Sequence, residues 1–223
     1  MSLDYITLIN SVLFMTISIL IVLGLESFKK PRLRFEIGTP GEIKENDLAK
    51  RTPAKFTHVF VYNEPMPKPL SFIWNRESAM SSRGWITFHD LDGQDIFGRK
   101  MDIRWANNPE PLSIDPQTGA VKGIDWDKMR VGNIWNIPPG QVADEVYGNL
   151  DIVMRTKDDP CCYGWNNNSY LHNWKNPEWK LGTGRYLVKI VIMTGGQTFM
   201  ETIQIMNTER FEDFRLEHSI RKL

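Results

Sequence analysis

The sequence predicts a mainly β domain carried on an N-terminal transmembrane helix, and three observations lead there. Tyr5 to Leu25 (YITLINSVLFMTISILIVLGL) holds no charged residue. As a helix it covers about 30 Å, the thickness of a bilayer's hydrocarbon layer. After Pro31 the chain changes to short apolar runs of alternating parity, separated by Gly, Pro, Asn and Asp, which is the rhythm of strands and turns. At 223 residues the chain is also long enough to bury a core without staples.

The anchor comes first. A cleaved secretory signal has a basic start, a shorter apolar stretch and a small-residue cleavage site. Here the start is MSLDY and Gly24-Leu25-Glu26 follows the run, so the segment reads as an uncleaved span. Lys29, Lys30, Arg32 and Arg34 stand on its C-terminal side and no base stands before it. Because bases resist translocation, this places the N-terminus outside and the soluble domain in the cytoplasm. The same four bases are the membrane-surface candidates, positioned to meet anionic head groups. The competing orientation is an extracytoplasmic domain on an uncleaved signal anchor, and it draws on the glycosylation triplet Asn167-Asn168-Ser169. The organisation expected is a short extension at 1–4, the span at 5–25, a basic linker at 26–34, a β-sandwich at 35–206 and a C-terminal helix or tail at 207–223.

Alternation marks seven strands: residues 32–37, 56–62, 85–89, 101–105, 150–154, 186–192 and 199–205, a number suited to a two-sheet sandwich. Trp85 and Trp105 fall within strands and are expected in the core. Gly195-Gly196 joins the last two strands as a tight hairpin turn, where positive φ is required. Ahead of that hairpin runs Leu181-Gly182-Thr183-Gly184-Arg185-Tyr186-Leu187-Val188-Lys189-Ile190-Val191. This segment resembles the lead-in to the penultimate strand of immunoglobulin-like and fibronectin-type β-sandwiches. The resemblance implies a corner tyrosine at Tyr186 whose hydroxyl bonds back to the chain, and an immunoglobulin-like fold with long loop insertions. It implies no activity, because such folds host many.

Two long connections, residues 107–148 and 157–184, carry the Pro, Gly and Asn that a minimal sandwich does not need, and loops of that length are where binding elements concentrate. The tail after Asn207 reads as a short helix with Asn207 or Thr208 as N-cap and a Glu217 to Arg221 pair one turn apart.

The chemistry expected of this domain is binding. Lys and Arg total 27 against 27 Asp and Glu, without the concentrated positive charge of a nucleic-acid binder. Two adjacent cysteines, Cys161 and Cys162, form no disulfide framework. They read as ordinary thiols, with a vicinal redox pair as the alternative. His89, Asp90 and Asp92 are the candidate metal ligands. They lack calcium-loop spacing, and Asp92-Gly93 reads first as a hairpin turn. No nucleophile elbow, zinc-protease helix or phosphate loop is present, so no enzyme activity and no cofactor are expected. Trp165, Tyr170, Trp174 and Trp179 sit among asparagines in the second long loop, as a face for a partner or a sugar ring, or as a flap folded back onto the sandwich.

These observations describe a single-pass, non-catalytic accessory, adaptor or sensory subunit whose partners are the bilayer and another protein. The alternatives are an extracytoplasmic carbohydrate- or envelope-binding module and, third, an anchored metal-dependent enzyme.

Overall fold

A computed structural model describes residues 3–43, 52–72, 74–140 and 147–223. Of the N-terminal extension, residues 1–2 lie outside the described residues, as do residues 141–146 of the first long connection.

Helix α1 (Leu3–Lys29) is a single apolar rod. Its most apolar 18-residue window, within Thr7–Lys29, is not buried against any other part of the described chain. Three of its hydroxyls are satisfied within the helix: Ser11, Thr16 and Ser18 donate to the carbonyls of Thr7, Val12 and Phe14, four residues back, at 2.8–2.9 Å. Such bonds to the preceding turn satisfy a hydroxyl without a partner outside the helix. A helix of this length and composition is one that anchors a single-pass protein or serves as a signal sequence. The helix runs past the expected end of the span at Leu25 and into the basic linker expected at 26–34, ending at Lys29, where Glu26 and Lys29 pair across its last turn at 2.6 Å.

The strands of the first half are β1 (Leu33–Ile37), β2 (Gly41–Ile43), β3 (Ala54–Asn63), β4 (Ala79–His89), β5 (Met101–Asp102), β6 (Arg104–Trp105), β7 (Leu112–Ile114) and β8 (Val121–Ile124). Those of the second half are β9 (Trp135–Ile137), β10 (Gly148–Thr156), β11 (Cys162–Gly164), β12 (Lys180–Leu181), β13 (Gly184–Thr194), β14 (Gln197–Asn207) and β15 (Arg215–His218). Short helices α2 (Lys68–Ser71) and α3 (Trp126–Val131) lie in connections.

Among the described residues the strands form two main antiparallel sheets. One runs β1-β3-β10-β11-β12, with β2 also on β3 and β6 also on β10. The other runs β15-β14-β13-β4-β5, with β9 also on β4, while β7 and β8 pair separately as a hairpin. Val59, Val61 and Leu150 from the first sheet meet Ile86, Phe88, Ile190, Ile203 and Ile205 from the second in one buried core around Trp105. Gly195 and Gly196 take φ of +53° and +77° at the β13–β14 turn, and Tyr186 Oη donates to the Gly182 carbonyl at 3.1 Å.

Four expectations are corrected. Residues 101–105 are not one strand: Met101 pairs with Ile86 in the second sheet and Trp105 with Leu150 in the first. The segment crosses the core between them at buried Ile103. The tail is not a helix, because Phe214 and Leu216 are buried two residues apart, a strand period, so β15 adds to the edge of β14. Arg215 then pairs with Glu217 on the same strand face at 2.5 Å, in place of a one-turn pair to Arg221. Trp85 is not core; Ile86 and Phe88 take the inward parity, leaving Trp85 under the Lys100 ammonium at 4.0 Å.

Gly84 sits where β4 crosses β13 most closely, and a Cβ there meets the Val191 carbonyl oxygen. Gly84→Ala is expected to destabilise the domain by about 2 kcal/mol or more, since backbone on both sides must move, as read by the midpoint of urea unfolding.

Candidate functional site

The outer face of the first sheet carries charge where a strand is otherwise apolar. A bulge in β10 between Asp151 and Val153 sends both Ile152 and Val153 into the core and turns Asp151 outward. In the ladder Asp151 stands opposite His58 of β3 and opposite Arg104 of β6. Cross-strand neighbours touch, so the register alone brings the three side chains together. Asp151 Oδ1 lies 2.9 Å from His58 Nδ1 and Oδ2 lies 3.3 Å from Arg104 Nε. The Asp151 and Arg104 side chains are only 5% and 3% exposed, so each depends on the other and on its remaining polar neighbours.

Arg104 spends its other nitrogens on the long loops. Nη1 donates to Asn167 Oδ1 at 2.8 Å and Nη2 to the Asn108 carbonyl at 3.3 Å, and Asn167 Nδ2 donates to the Met129 carbonyl at 2.7 Å. The first and second long connections are thereby pinned to one guanidinium.

Beside this charged floor stands an aromatic wall. Trp165 packs edge-on to Phe56 at 5.0 Å and to Trp174 at 6.0 Å, and lies 5.2 Å from Tyr170. Trp174 is held there by unusual backbone: Asn173 and Trp174 have φ of +47° and +74°. The Trp174 amide donates to the Ser169 carbonyl at 2.8 Å, and two successive left-handed residues without glycine mark a conformation that the surroundings impose. Burial holds the Tyr170 phenol well above its ordinary range, with Glu110 adding to the shift, so this hydroxyl stays protonated. Gly41 and Ile43 of β2 form the rim, where a Cβ on Gly41 would come within 3.1 Å of His58 Nε2. Floor, wall and rim enclose a cavity of about 320 Å³, within the size range of small-ligand sites.

Chemically the cavity offers an aromatic face together with both donors and acceptors. His58, oriented by Asp151, has the geometry of a base with its positioning carboxylate. The described lining contains no serine, threonine or cysteine to act as nucleophile.

Trp165, Tyr170 and Trp174 of the loop candidates come together here, but Trp179 does not. It is buried in the main core at 5.2 Å from Phe97, with Arg99 stacked on it at 4.5 Å. The alternating 3₁₀ turns of the loop, Asn167–His172 and Pro177–Trp179, send the two ends of the aromatic series to different places. His89, Asp90 and Asp92 lie at the far end of β4. Asp90 Oδ1 accepts from the amides of Asp92 and Gln94, and His89 contacts the Thr87 hydroxyl and the Gly93 carbonyl. These groups close a turn, and no cluster of three metal-ligating side chains occurs among the described residues. Cys161 and Cys162 point apart, Cys162 into the main core and Cys161 against the aromatic cluster, with both thiols free. Lys29 pairs with Glu26, and Arg34 with Glu64 at 3.1 Å. Lys30 and Arg32 are exposed. Asn167 of the glycosylation triplet has its amide committed between Arg104 and Met129 and packed on Gly132, so the triplet is a structural element.

Sequence reasoning missed His58, Arg104, Glu110 and Asp151. The signal was there in two places: a carboxylate within LDIVM and a guanidinium within MDIRW.

Compared with protein-family models, curated proteins and solved structures, the chain matches none.

Asp151→Asn leaves Arg104 buried without its counter-charge and is expected to cost about 3 kcal/mol, measured by denaturant unfolding. The double variant Asp151→Asn with Arg104→Met should recover part of that loss, and strict additivity would show that the two groups are uncoupled. A second expectation concerns pH. Burial pushes the Cys162 thiol from 9.0 up to about 12. The unfolded chain then loses this proton before the folded one does. Stability falls as pH rises from about 9 toward 12, by up to about 1.4 kcal/mol per unit. That part of the slope should vanish in Cys162→Ala.

Proposed function

We propose that this chain is a single-pass, membrane-anchored, non-catalytic binding module of immunoglobulin-like type. It acts as an accessory or sensory subunit that receives a partner's protruding side chain, or a small ligand, in the cavity over Asp151. The observation that carries this reading is the aromatic-walled cavity built on the His58–Asp151–Arg104 network. A largely buried polar floor beside a half-buried aromatic surface supplies orientation and contact area together. The immunoglobulin-like assignment is supported by the Tyr186 corner bond, and the anchor by α1. The cytoplasmic placement of the domain rests on the basic residues after the helix.

A second reading has a specific observation in its favour. An aromatic face opposite Arg104, Glu110 and His58 matches the two-sided character of a sugar ring, apolar on its C–H face and hydrogen-bonding at its rim. The cavity admits one such ring.

The test places a photoreactive amino acid at rim residue Ile43 in the full chain within its native membrane, alongside saturation-transfer NMR of the reconstituted chain with neutral hexoses. A discrete crosslinked partner that disappears in Trp174→Ala supports the accessory reading, and hexose saturation lost in the same variant supports the sugar reading. The substitution should weaken binding by about 2 kcal/mol, roughly thirtyfold. Crosslinks or saturation unchanged by Trp174→Ala would remove the cavity from the function.

A further inference from the structure

The end of α1 is bonded to the sandwich. Arg76, 5% exposed, donates through Nη1 to the carbonyls of Phe28 at 3.0 Å and Lys30 at 2.6 Å. The Glu77 amide donates to the Lys29 carbonyl at 2.7 Å. Asn63 completes the joint: its Nδ2 donates to the Glu77 carbonyl at 2.7 Å and its Oδ1 accepts from the Arg32 amide at 2.8 Å. These bonds satisfy carbonyls that every helix leaves open at its C-terminus, and they fix residues 76–77 at the level where the apolar helix ends.

Immediately before this joint the chain makes a small apolar projection. Pro67 leads into α2, the Trp74 amide closes on the Leu70 carbonyl at 3.0 Å, and Phe72 stands 94% exposed. A phenylalanine so presented to water is unfavourable by its full transfer free energy. Phe72 is four residues from Arg76, so its Cα lies within about 14 Å of that of Arg76 even at full extension. Lys68, on the same projection, and Lys30, at the helix end, are both exposed. An exposed aromatic flanked by bases at the level of the helix end is the composition of an interfacial element, ring toward the acyl chains and ammonium groups toward phosphate.

We propose that the projection at residues 67–72 is a second membrane contact, in which Phe72 enters the head-group and acyl boundary beside α1. The occupant of this surface is the lipid bilayer, because the joint holds the projection where the apolar helix leaves off. The proposal rests on α1 being a bilayer anchor. A helix with one covalent exit leaves its domain free to tilt, and a second contact off the helix axis removes that freedom.

The experiment uses the full chain, with Cys161→Ser, reconstituted in vesicles of phosphatidylcholine and phosphatidylglycerol, and spin-labelled at Phe72→Cys. The reference is Leu91→Cys, beyond the other end of the 11-residue strand β4, a strand that itself spans about 35 Å. Flotation of the vesicles first reports insertion. The expected result is a label at position 72 relaxed more by oxygen, which concentrates in the acyl region, than by a water-soluble nickel chelate, with the opposite order at position 91. A chain that floats but shows aqueous accessibility at position 72 overturns the second contact alone. Shielding of position 72 from both relaxants also overturns it, by placing protein on this surface. A chain that does not float overturns the anchor and this proposal together.

Discussion

One buried carboxylate organises the outer half of this domain. Asp151 is turned out of the core by a bulge, meets His58 across one strand boundary and Arg104 across the other, and has almost no contact with water. A charge in that position is tolerated only with its counter-charge in place. The requirement propagates: Arg104 must arrive on β6, which obliges residues 101–105 to leave the second sheet and cross to the first. Once there, its remaining donors gather Asn108 and Asn167, so that two connections many residues apart are held against the same face. The aromatic wall is a consequence of that gathering, since Trp165, Tyr170 and Trp174 flank Asn167 in the chain.

Much of the scaffold was legible because its determinants are local. An apolar run without charge, strict alternation in FTHVFVY and YLVKIVI, and the Gly195-Gly196 pair each act over a few residues, and the strands and hairpin they imply are where the sequence puts them. The tail resembles a helix in sequence because Glu217 and Arg221 are spaced for one. The deciding term was tertiary, the edge of β14 accepting Phe214 and Leu216 at strand spacing, which no local pattern announces. Residues 101–105 alternate like a strand, yet change sheets at Ile103, and alternation says nothing about which neighbour a strand pairs with.

The site was the least legible part. Three of the aromatic loop residues were identifiable as unusual, but Trp179 has the same composition around it and lies in the core. His58, Arg104 and Asp151 are separated by tens of residues, and only register unites them. What was visible, a carboxylate inside the apolar run LDIVM and a guanidinium inside MDIRW, is the trace that a buried ion pair leaves in a sequence. Either charge alone is an anomaly, and together they complement each other.

The joint between α1 and the sandwich has a rotational consequence. Arg76 and Glu77 grip the helix end through its carbonyls while Asn63 braces Glu77 and the Arg32 amide, so helix and domain turn as a single shaft. Each residue of an α-helix advances the azimuth by about 100°. One residue inserted midway along the apolar run would therefore swing the mouth of the cavity by about 100° around the helix axis, relative to anything that grips the helix upstream. The length of the rod thus sets the compass bearing of the pocket as well as its reach from the N-terminus.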